Sequence, residues 1–273
     1  MIVGLIGAGN MGGALARGWA ATAAPDDLLL ADADGERVRT LADEVGGRVA
    51  ASNRELAERA DTIVLAMKPA ALASVAEDAR VPVSERSTPV VSILGATSIG
   101  AVEKAFGPGT AVLRFMPNVA AEVRHGTFCY AGGAALDGRT ERDLLDLFGL
   151  LGELVPVEER LMDAATAING CGPAFMALVV EALTDAGVEQ GLTAAQAARL
   201  AVSTMGGSAA LLASRRDDAP SVKRQVTSPG GVTAAGLAAL ERSGVRAAFA
   251  DAVDAVVVRA KAAQANASES RSR

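Results

Sequence analysis

The first half of the chain alternates short, continuous apolar runs with segments of helical periodicity. Strands that are apolar throughout are typical of parallel sheets that helices cover on both faces. The pattern predicts strands at 2–6, 28–31, 62–67, 90–94, 111–115, 127–130 and 154–157, and helices at 11–23, 36–45, 55–59, 71–79 and 140–151. This order predicts an α/β fold built on a doubly wound sheet.

The pattern changes after residue 157, where helical stretches rich in alanine and leucine take over. They are predicted at 174–189, 194–214, 234–242 and 246–263. Apolar residues surround these helices, although a surface helix needs only one buried stripe. We therefore expect them to be buried on several sides, in part by a second subunit. The chain divides in this interpretation into an α/β domain, residues 1–157, and an all-α domain, residues 158–273.

Composition and charge limit the functions to consider. The 273 residues carry a net charge of −6, which argues against a nucleic-acid surface. No uninterrupted apolar run reaches the ~20 residues of a membrane span, and the first residues lack a secretory signal. We therefore expect a cytoplasmic protein whose two cysteines, Cys129 and Cys171, are reduced. No metal-ligand cluster is visible, so we expect no metal requirement.

The first predicted strand leads directly into a G-x-G-x-x-G motif and then into a helix. Gly7 allows the tight turn, Gly9 lets a pyrophosphate approach the backbone, and Gly12 allows close packing of helix on strand. Free N–H groups at the helix start would face the phosphates. The alternative is a glycine-rich turn without a ligand. Three glycines near a helix start lower stability unless something requires them, so we favour a dinucleotide site.

An aspartate ends the second predicted strand, about 20 residues after the glycine motif. A carboxylate at this place typically bonds the adenine ribose of NAD and repels the 2′-phosphate of NADP. Asp32 therefore favours NADH. A helix N-cap role suits Asp32 or Asp34 equally well, and Arg37 and Arg39 could receive a phosphate instead.

Two further segments are unusual for a purely structural role. Ala66-Met67-Lys68-Pro69 opens a loop at the carboxyl edge of the predicted sheet, where ligands bind in such folds. Lys68 is either functional or a solvated charge. In the second half, Val226-Thr227-Ser228-Pro229-Gly230-Gly231-Val232-Thr233 precedes a helix, and free N–H groups at its start form an anion site sized for a carboxylate.

Several other residues have simpler interpretations. Pro173 suits the first turn of a helix, after glycines that permit a tight entry. His125 is the single histidine, and no carboxylate or nucleophile accompanies it in sequence. We expect it to be a surface or structural residue, and we expect Tyr130, the single tyrosine, to be packed in its strand.

Five motifs, taken together and in order, resemble the pyrroline-5-carboxylate reductase family over nearly the whole chain. They are Gly7-Ala8-Gly9-Asn10-Met11, Ala66-Met67-Lys68-Pro69, Met116-Pro117-Asn118, Gly170-Cys171-Gly172-Pro173-Ala174 and the segment from Val226 to Thr233. The resemblance implies an N-terminal Rossmann-type domain and an all-helical C-terminal dimerisation domain. It also implies a homodimer or a ring of dimers, and reduction of 1-pyrroline-5-carboxylate to L-proline by NAD(P)H.

The resemblance also implies which residues form the site. Together with the glycine motif and Asp32, it gives as cofactor-binding residues Ile6, Gly7, Ala8, Gly9, Asn10, Met11, Gly12, Asp32, Asn53, Ala66, Met67, Lys68 and Pro69. It implies substrate contacts at Glu159, Val232 and Thr233, to which the glycine loop adds Gly230 and Gly231. We expect the N–H groups of Gly231, Val232 and Thr233 to bind the substrate carboxylate, and the Thr233 hydroxyl, our catalytic candidate, to bond the ring nitrogen.

The chain departs from the family pattern in places. Asn169 and Cys171 stand where the family usually has serine, Val232 replaces the first of two threonines, and Leu94-Gly95-Ala96 replaces an A-A-G segment. Two alternatives therefore stay open. One is a divergent oxidoreductase of the same fold acting on another cyclic imine or a 3-hydroxy acid. The other is a non-catalytic nucleotide-binding paralogue.

Overall fold

The computed structural model describes residues 1–215 and 218–269. The chain forms two compact units, the first made of Met1–Pro173 and the chain from Val256 onward, the second of Ala174–Ala255. The first unit contains an eight-stranded sheet in the order β3-β2-β1-β4-β5-β6-β7-β8. The strands are β1 (Ile2–Ile6), β2 (Asp27–Ala31), β3 (Arg48–Val49), β4 (Thr62–Leu65), β5 (Val90–Ser92), β6 (Val112–Met116), β7 (Gly126–Gly132) and β8 (Gly152–Pro156).

Seven helices belong to the same region. They are α1 (Asn10–Ala20), α2 (Gly35–Val45), α3 (Asn53–Arg59), α4 (Leu72–Arg86), α5 (Ile99–Phe106), α6 (Gly138–Gly149) and α7 (Met162–Asn169). Short 3₁₀ turns lie at Pro69–Ala71, Val119–Val123 and Glu159–Leu161. The predicted fold class is confirmed. The pattern did not predict α5, although its Ser98 cap, which accepts a bond from the Ala101 N–H, is a recognisable start signal.

The sheet differs from the predicted parallel arrangement at one strand pair. β6 and β7 are antiparallel, with Phe115 opposite Tyr130. Only residues 117–125 connect them, and a parallel connection needs a crossover of a dozen residues or more. β7 and β8 are parallel again, joined through α6. β3 was also not predicted, because its two residues are exposed and show no apolar run.

Helices cover the two faces of the sheet with different cores. One face holds four of the chain's few aromatic rings, Trp19, Phe115, Phe128 and Phe148, all at most 1% exposed. Phe115 stacks on Phe148 with ring centroids 4.3 Å apart, and Trp19 donates its indole N–H to the Leu147 carbonyl. The other face is packed with residues of α3, α4 and α5 that are aliphatic except for Phe106. Both cores leave the carboxyl ends of the strands free to form a site.

In its described residues, the second unit consists of helices joined by loops and contains no strand. Its helices are α8 (Gly172–Glu189), α9 (Ala194–Arg215), α10 (Ala219–Gln225), α11 (Val232–Arg242) and the first part of α12 (Val245–Glu269). Large apolar side chains are exposed along them, including Leu178 at 63% and Leu200 at 57%. An exposed apolar surface of this kind marks an interaction site, in agreement with the expected second subunit.

One helical stretch, Glu159–Glu189, is long and apolar enough to cross a membrane by length and composition alone. Asn169, Gly170, Gly172 and Pro173 interrupt this apolar run. The helix is broken at the same place, between the end of α7 and the start of α8.

Candidate functional site

An open cleft of about 1440 Å³ lies at the carboxyl ends of β1, β2, β4 and β5. Twelve of the residues that the sequence predicts to bind a cofactor line it, although they come from four separate segments. They are Ile6, Gly7, Ala8, Gly9, Asn10, Met11, Asp32, Asn53, Ala66, Met67, Lys68 and Pro69. The thirteenth, Gly12, is buried behind the loop and does not line the cleft.

The three motif glycines have distinct roles in this geometry. Gly7 has φ +111, and a Cβ on it would lie 2.5 Å from the Ala66 carbonyl carbon. A Cβ on Gly12 would overlap the Gly7 carbonyl oxygen, so α1 can approach β1 only because Gly12 has none. In the part of the chain that the structure describes, there is open space in front of Gly9, and no side chain caps the N-terminus of α1. A pyrophosphate therefore fits against the free N–H groups of this turn.

Two aspartates that follow β2, Asp32 and Asp34, line one end of the cleft. The Asp32 carboxylate is 12% exposed and accepts the N–H groups of Ala8 at 2.6 Å and Asp34 at 2.8 Å. Asp34 caps α2 by accepting the N–H groups of Glu36 and Arg37. The bond from the Arg37 N–H lowers the pKa of the Asp34 carboxyl, so this group is ionised at neutral pH. The N-cap role, which the sequence assigns equally well to Asp32 or Asp34, therefore belongs to Asp34.

Asn53 and Lys68 border the same cleft from neighbouring loops. Asn53 follows the Ser52 cap of α3 and donates to Asp78 at 3.1 Å, which fixes its amide at the cleft wall. Lys68 is exposed and precedes the turn that Pro69 begins. The ammonium of Lys68 is thus placed for contact with a ligand anion, while Asn53 offers a neutral polar group.

The loop after β5 completes the wall with Ile93, Leu94 and Gly95. The next residue, Ala96, has φ +53, a left-handed conformation that costs a residue with a Cβ roughly 1 kcal/mol or more. The family pattern has glycine at this position. The departure from A-A-G therefore places an alanine where the backbone requires glycine-like freedom.

Ala96→Gly is expected to raise the free energy of unfolding by about 1 kcal/mol, because it removes the left-handed strain. Urea unfolding of the two proteins measures the difference. The matched control is Ala101→Gly in the first turn of α5, where glycine is expected to destabilise by roughly 0.5–1 kcal/mol. Destabilisation by both substitutions would show that Ala96 is not strained.

An ion pair between a buried arginine and a half-buried glutamate lies elsewhere in the first unit, outside the cleft lining. Arg114 on β6 is 4% exposed and donates from Nη1 to Glu159 at 3.0 Å. The same Glu159 oxygen accepts the Ile99 N–H at 2.7 Å, so it also holds the start of α5. Within the described residues, Arg114 Nε has no hydrogen-bond partner. Sequence reasoning missed Arg114, although a charged residue inside an apolar buried strand is a usable signal.

Asn169, one of the departures from the family pattern, forms the centre of a buried polar network. Its amide nitrogen donates to the carbonyl oxygens of Met116 at 2.7 Å and Thr127 at 2.9 Å. Its amide oxygen accepts from Asn118 at 2.8 Å. Asn169 therefore joins the end of α7 to the β6–β7 connection. Cys171 is half-buried two residues further on.

The glycine-rich loop of the second unit ends at α11. Gly230 has φ +69, and Gly231 is the N-cap of α11 without a side-chain cap bond. The Gly231 N–H donates to the Ser228 carbonyl at 3.0 Å, so it is engaged within the loop. Among the described residues, the N–H groups of Val232 and Thr233 have no acceptor. Both side chains are exposed, Val232 at 91%.

The remaining candidate residues lie outside the cleft. His125 is exposed at the start of β7, as expected of a surface residue, and Tyr130 packs against Phe115 with ring centroids 5.8 Å apart. Cys129 and Cys171 are free thiols, and burial raises the pKa of the Cys129 thiol.

Comparison with family models matches the two parts of the chain separately. Residues 159–263 match the model described as pyrroline-5-carboxylate reductase dimerisation. Residues 2–95 match the model described as NADP oxidoreductase, coenzyme F420-dependent. The first of these covers the helices whose apolar side chains are exposed, and the second covers the glycine motif and most of the cleft.

Similar proteins match along nearly the whole length. The pyrroline-5-carboxylate reductase of Synechocystis sp. is 37% identical, covering 95% of this chain and 97% of the relative. That of Methanosarcina acetivorans is 35% identical, covering 92% and 93%. The crystal structure of Plasmodium falciparum pyrroline carboxylate reductase with NADP bound is 32% identical, covers 97% of this chain and 98% of that one, and superposes with a TM-score of 0.85.

Proposed function

The chain belongs to the pyrroline-5-carboxylate reductase family, and from this premise we propose that it reduces 1-pyrroline-5-carboxylate to L-proline, the last step of proline synthesis, with NAD(P)H. The observation that carries the proposal is the joint presence of an open dinucleotide cleft and an uncapped, glycine-led helix start. The first suits a cofactor and the second suits a small carboxylate.

The cofactor is proposed to bind along the first unit's cleft. The Gly9 backbone and the N–H groups that open α1 would hold the pyrophosphate, and Asp32 would bond the ribose. Ala66, Met67, Lys68 and Pro69 would line the path along the carboxyl edge of the sheet. When bound, the nicotinamide supplies the hydride. The protein's own contribution is to position the two reactants.

The substrate carboxylate is proposed to bind at the start of α11. Within residues 1–215 and 218–269, the N–H groups of Val232 and Thr233 have no acceptor, whereas the Gly231 N–H already bonds the Ser228 carbonyl. We therefore assign anion binding to Val232 and Thr233, with Gly230 and Gly231 shaping the turn. This contact fixes the orientation of the ring, and orientation can supply much of the rate. One carboxylate oxygen of Glu159 accepts bonds from Arg114 and the Ile99 N–H, so we propose that this oxygen positions other residues and does not contact the substrate. A direct contact between Glu159 and the substrate would use its second oxygen.

The chemistry needs little acid–base assistance. A protonated cyclic imine is already a hydride acceptor: its carbon gains the hydride, and the C=N electron pair moves to nitrogen and neutralises its charge. The ring nitrogen keeps its proton throughout. We propose that the Thr233 hydroxyl accepts a hydrogen bond from this N–H and holds the imine carbon in place. This role agrees with a chain that has a single, exposed histidine.

The assembly is proposed to be a homodimer, or a ring of dimers, formed through residues 158–273. The match of residues 159–263 to a dimerisation model supports this, as do the exposed apolar residues of α8 and α9. We propose that the protein works in the cytoplasm, where free thiols such as Cys171 stay reduced.

Thr233→Ala is expected to lower kcat/KM for 1-pyrroline-5-carboxylate about 30-fold, roughly 2 kcal/mol of transition-state stabilisation. The loss of the hydroxyl removes one bond to the ring nitrogen and leaves the helix N–H groups intact. Thr233→Ser should restore most activity, and Ser243→Ala at the exposed far end of α11 is the control. Unchanged kinetics in Thr233→Ala would remove this residue from the mechanism.

The overall proposal is tested by following cofactor oxidation with 1-pyrroline-5-carboxylate, in parallel with NADH and NADPH. Turnover with either cofactor supports it. Turnover only with a 3-hydroxy acid or another cyclic imine would favour the divergent oxidoreductase. Dinucleotide binding without turnover of any of these would indicate a non-catalytic paralogue.

A further inference from the structure

The ribose end of the cleft carries a concentration of negative charge. Asp32 and Asp34, in the turn between β2 and α2, line it together with Glu36 in the first turn of α2. In this fold class the end of the second strand is where the ribose of the adenosine half binds. An acidic residue there accepts the ribose hydroxyls, whereas an arginine accommodates a 2′-phosphate.

Asp32 is held rigidly at that place. Its Oδ2 accepts the Ala8 N–H at 2.6 Å and its Oδ1 accepts the Asp34 N–H at 2.8 Å. With 12% of the side chain exposed, the carboxylate cannot turn away from an incoming phosphate without breaking both bonds. Its remaining lone pairs can still accept bonds from ribose hydroxyls.

The N-terminus of α2 is closed to an anion. Asp34 Oδ1 accepts the Glu36 N–H at 3.2 Å and the Arg37 N–H at 3.1 Å, and the Asp34 carbonyl accepts the Val38 N–H. These are the N–H groups that would otherwise attract a phosphate at a helix start. A side-chain carboxylate therefore already occupies the anion position of this helix.

The arginines of the cleft are paired with carboxylates of the chain. Arg37 lies 2.9 Å from Asp34 and 3.8 Å from Asp32. Arg17, the other arginine that lines the cleft, pairs with Glu44 at 2.7 Å. Arg39 lies outside the cleft lining. A 2′-phosphate would have to compete with two carboxylates for Arg37, and it would lie beside both of them.

We propose that this chain selects NADH over NADPH, and that Asp32 and Asp34 determine the selection. The inference takes one premise from the proposed function, namely that the cofactor is a nicotinamide dinucleotide. It separates this chain from the Plasmodium falciparum relative, whose structure has NADP bound. In this proposal, the residues between β2 and α2 decide which of the two cofactors binds more tightly.

The test is calorimetric titration of the whole protein with NADH and NADPH, without substrate. We expect the Kd for NADPH to exceed that for NADH by a factor on the order of 50 at low salt, and the ratio to shrink as salt screens the carboxylates. A second pair of probes, adenosine 2′,5′-bisphosphate and 5′-AMP, isolates the 2′-phosphate. Tighter binding of the bisphosphate, or equal affinity for NADH and NADPH, would overturn the proposal.

The variant Asp32→Asn/Asp34→Ser removes both charges, and serine retains the cap of α2. The NADPH-to-NADH ratio of Kd is expected to fall at least tenfold, because Arg37 becomes available to a phosphate. Asp43→Asn, an exposed carboxylate on the same helix and outside the cleft, is the matched control. If the double variant does not fold, Asp34→Ser alone is expected to shift the ratio in the same direction, and no shift would overturn the proposal.

These binding data distinguish the inference from the proposed function. A preference for NADH without turnover of 1-pyrroline-5-carboxylate would contradict the function and leave the selectivity intact. Turnover with NADPH as efficient as with NADH, at matched affinities, would contradict the selectivity and leave the function intact.

Discussion

Gly12→Ala is expected to destabilise the first unit by about 3 kcal/mol or more, whereas Gly9→Ala, three residues earlier, is expected to leave it folded and weaken dinucleotide binding. A Cβ at Gly12 would overlap the backbone carbonyl of Gly7, which has no flexible end that could move aside. The helix α1 would have to shift away from β1, and the buried residues that pack between them would lose contact.

Gly9 presents the opposite situation. Its φ of −71 is open to any residue, and among the described residues no atom beyond its own chain neighbours and helix backbone lies within 4 Å of the position of a Cβ. The free energy of unfolding of Gly9→Ala should therefore stay within about 0.5 kcal/mol of the original. The added methyl group would occupy the space in front of the α1 N–H groups, so the Kd for NADH is expected to rise on the order of 100-fold.

Urea unfolding and calorimetric titration, performed on both variants, separate these effects. Gly100→Ala, in the first turn of α5 and also without neighbours within 4 Å, is the control and should change neither quantity by much. A folded Gly12→Ala with normal affinity would contradict the close packing of α1 on β1. If Gly9→Ala binds NADH as tightly as the original protein, the pyrophosphate does not bind against Gly9.

Asn169→Ala is expected to lower the free energy of unfolding by about 3 kcal/mol, because two main-chain carbonyls and the Asn118 amide lose their partner in a buried place. The residue is 8% exposed, so water cannot easily replace the lost bonds. Asn53→Ala, which loses a single bond to Asp78 at the cleft wall, is the matched control, with an expected cost below about 1 kcal/mol.

The same variant tests whether the departure at position 169 alters the substrate range. Since the Asn169 side chain is committed to Met116, Thr127 and Asn118, we expect the relative kcat/KM values for different cyclic imines to stay unchanged in variants that remain folded. A changed preference with unchanged stability would show that Asn169 contacts the substrate and not the β6–β7 connection.

The helices and strands of the first half follow from local properties that the sequence displays directly. Continuous apolar runs predicted the seven longer strands, and glycine spacing predicted the turn that opens the cleft. The comparisons confirm the family resemblance and the fold class. The described elements that the pattern does not predict are short: β3, with two exposed residues, and the helices α5, α7 and α10, of seven or eight residues each.

Only the tertiary structure decided the contacts between distant segments. Arg114 and Glu159 are 45 residues apart, and Asn118 and Asn169 are 51 apart, so no local pattern could pair them. β7 is antiparallel to β6 because the connection between them is short. Arg37 pairs with two aspartates because of the direction in which α2 follows β2. Periodicity and the absence of a Cβ act within a few residues, so both can be read directly from the sequence. Ion pairs and buried amides depend on which surfaces the packed sheet brings together.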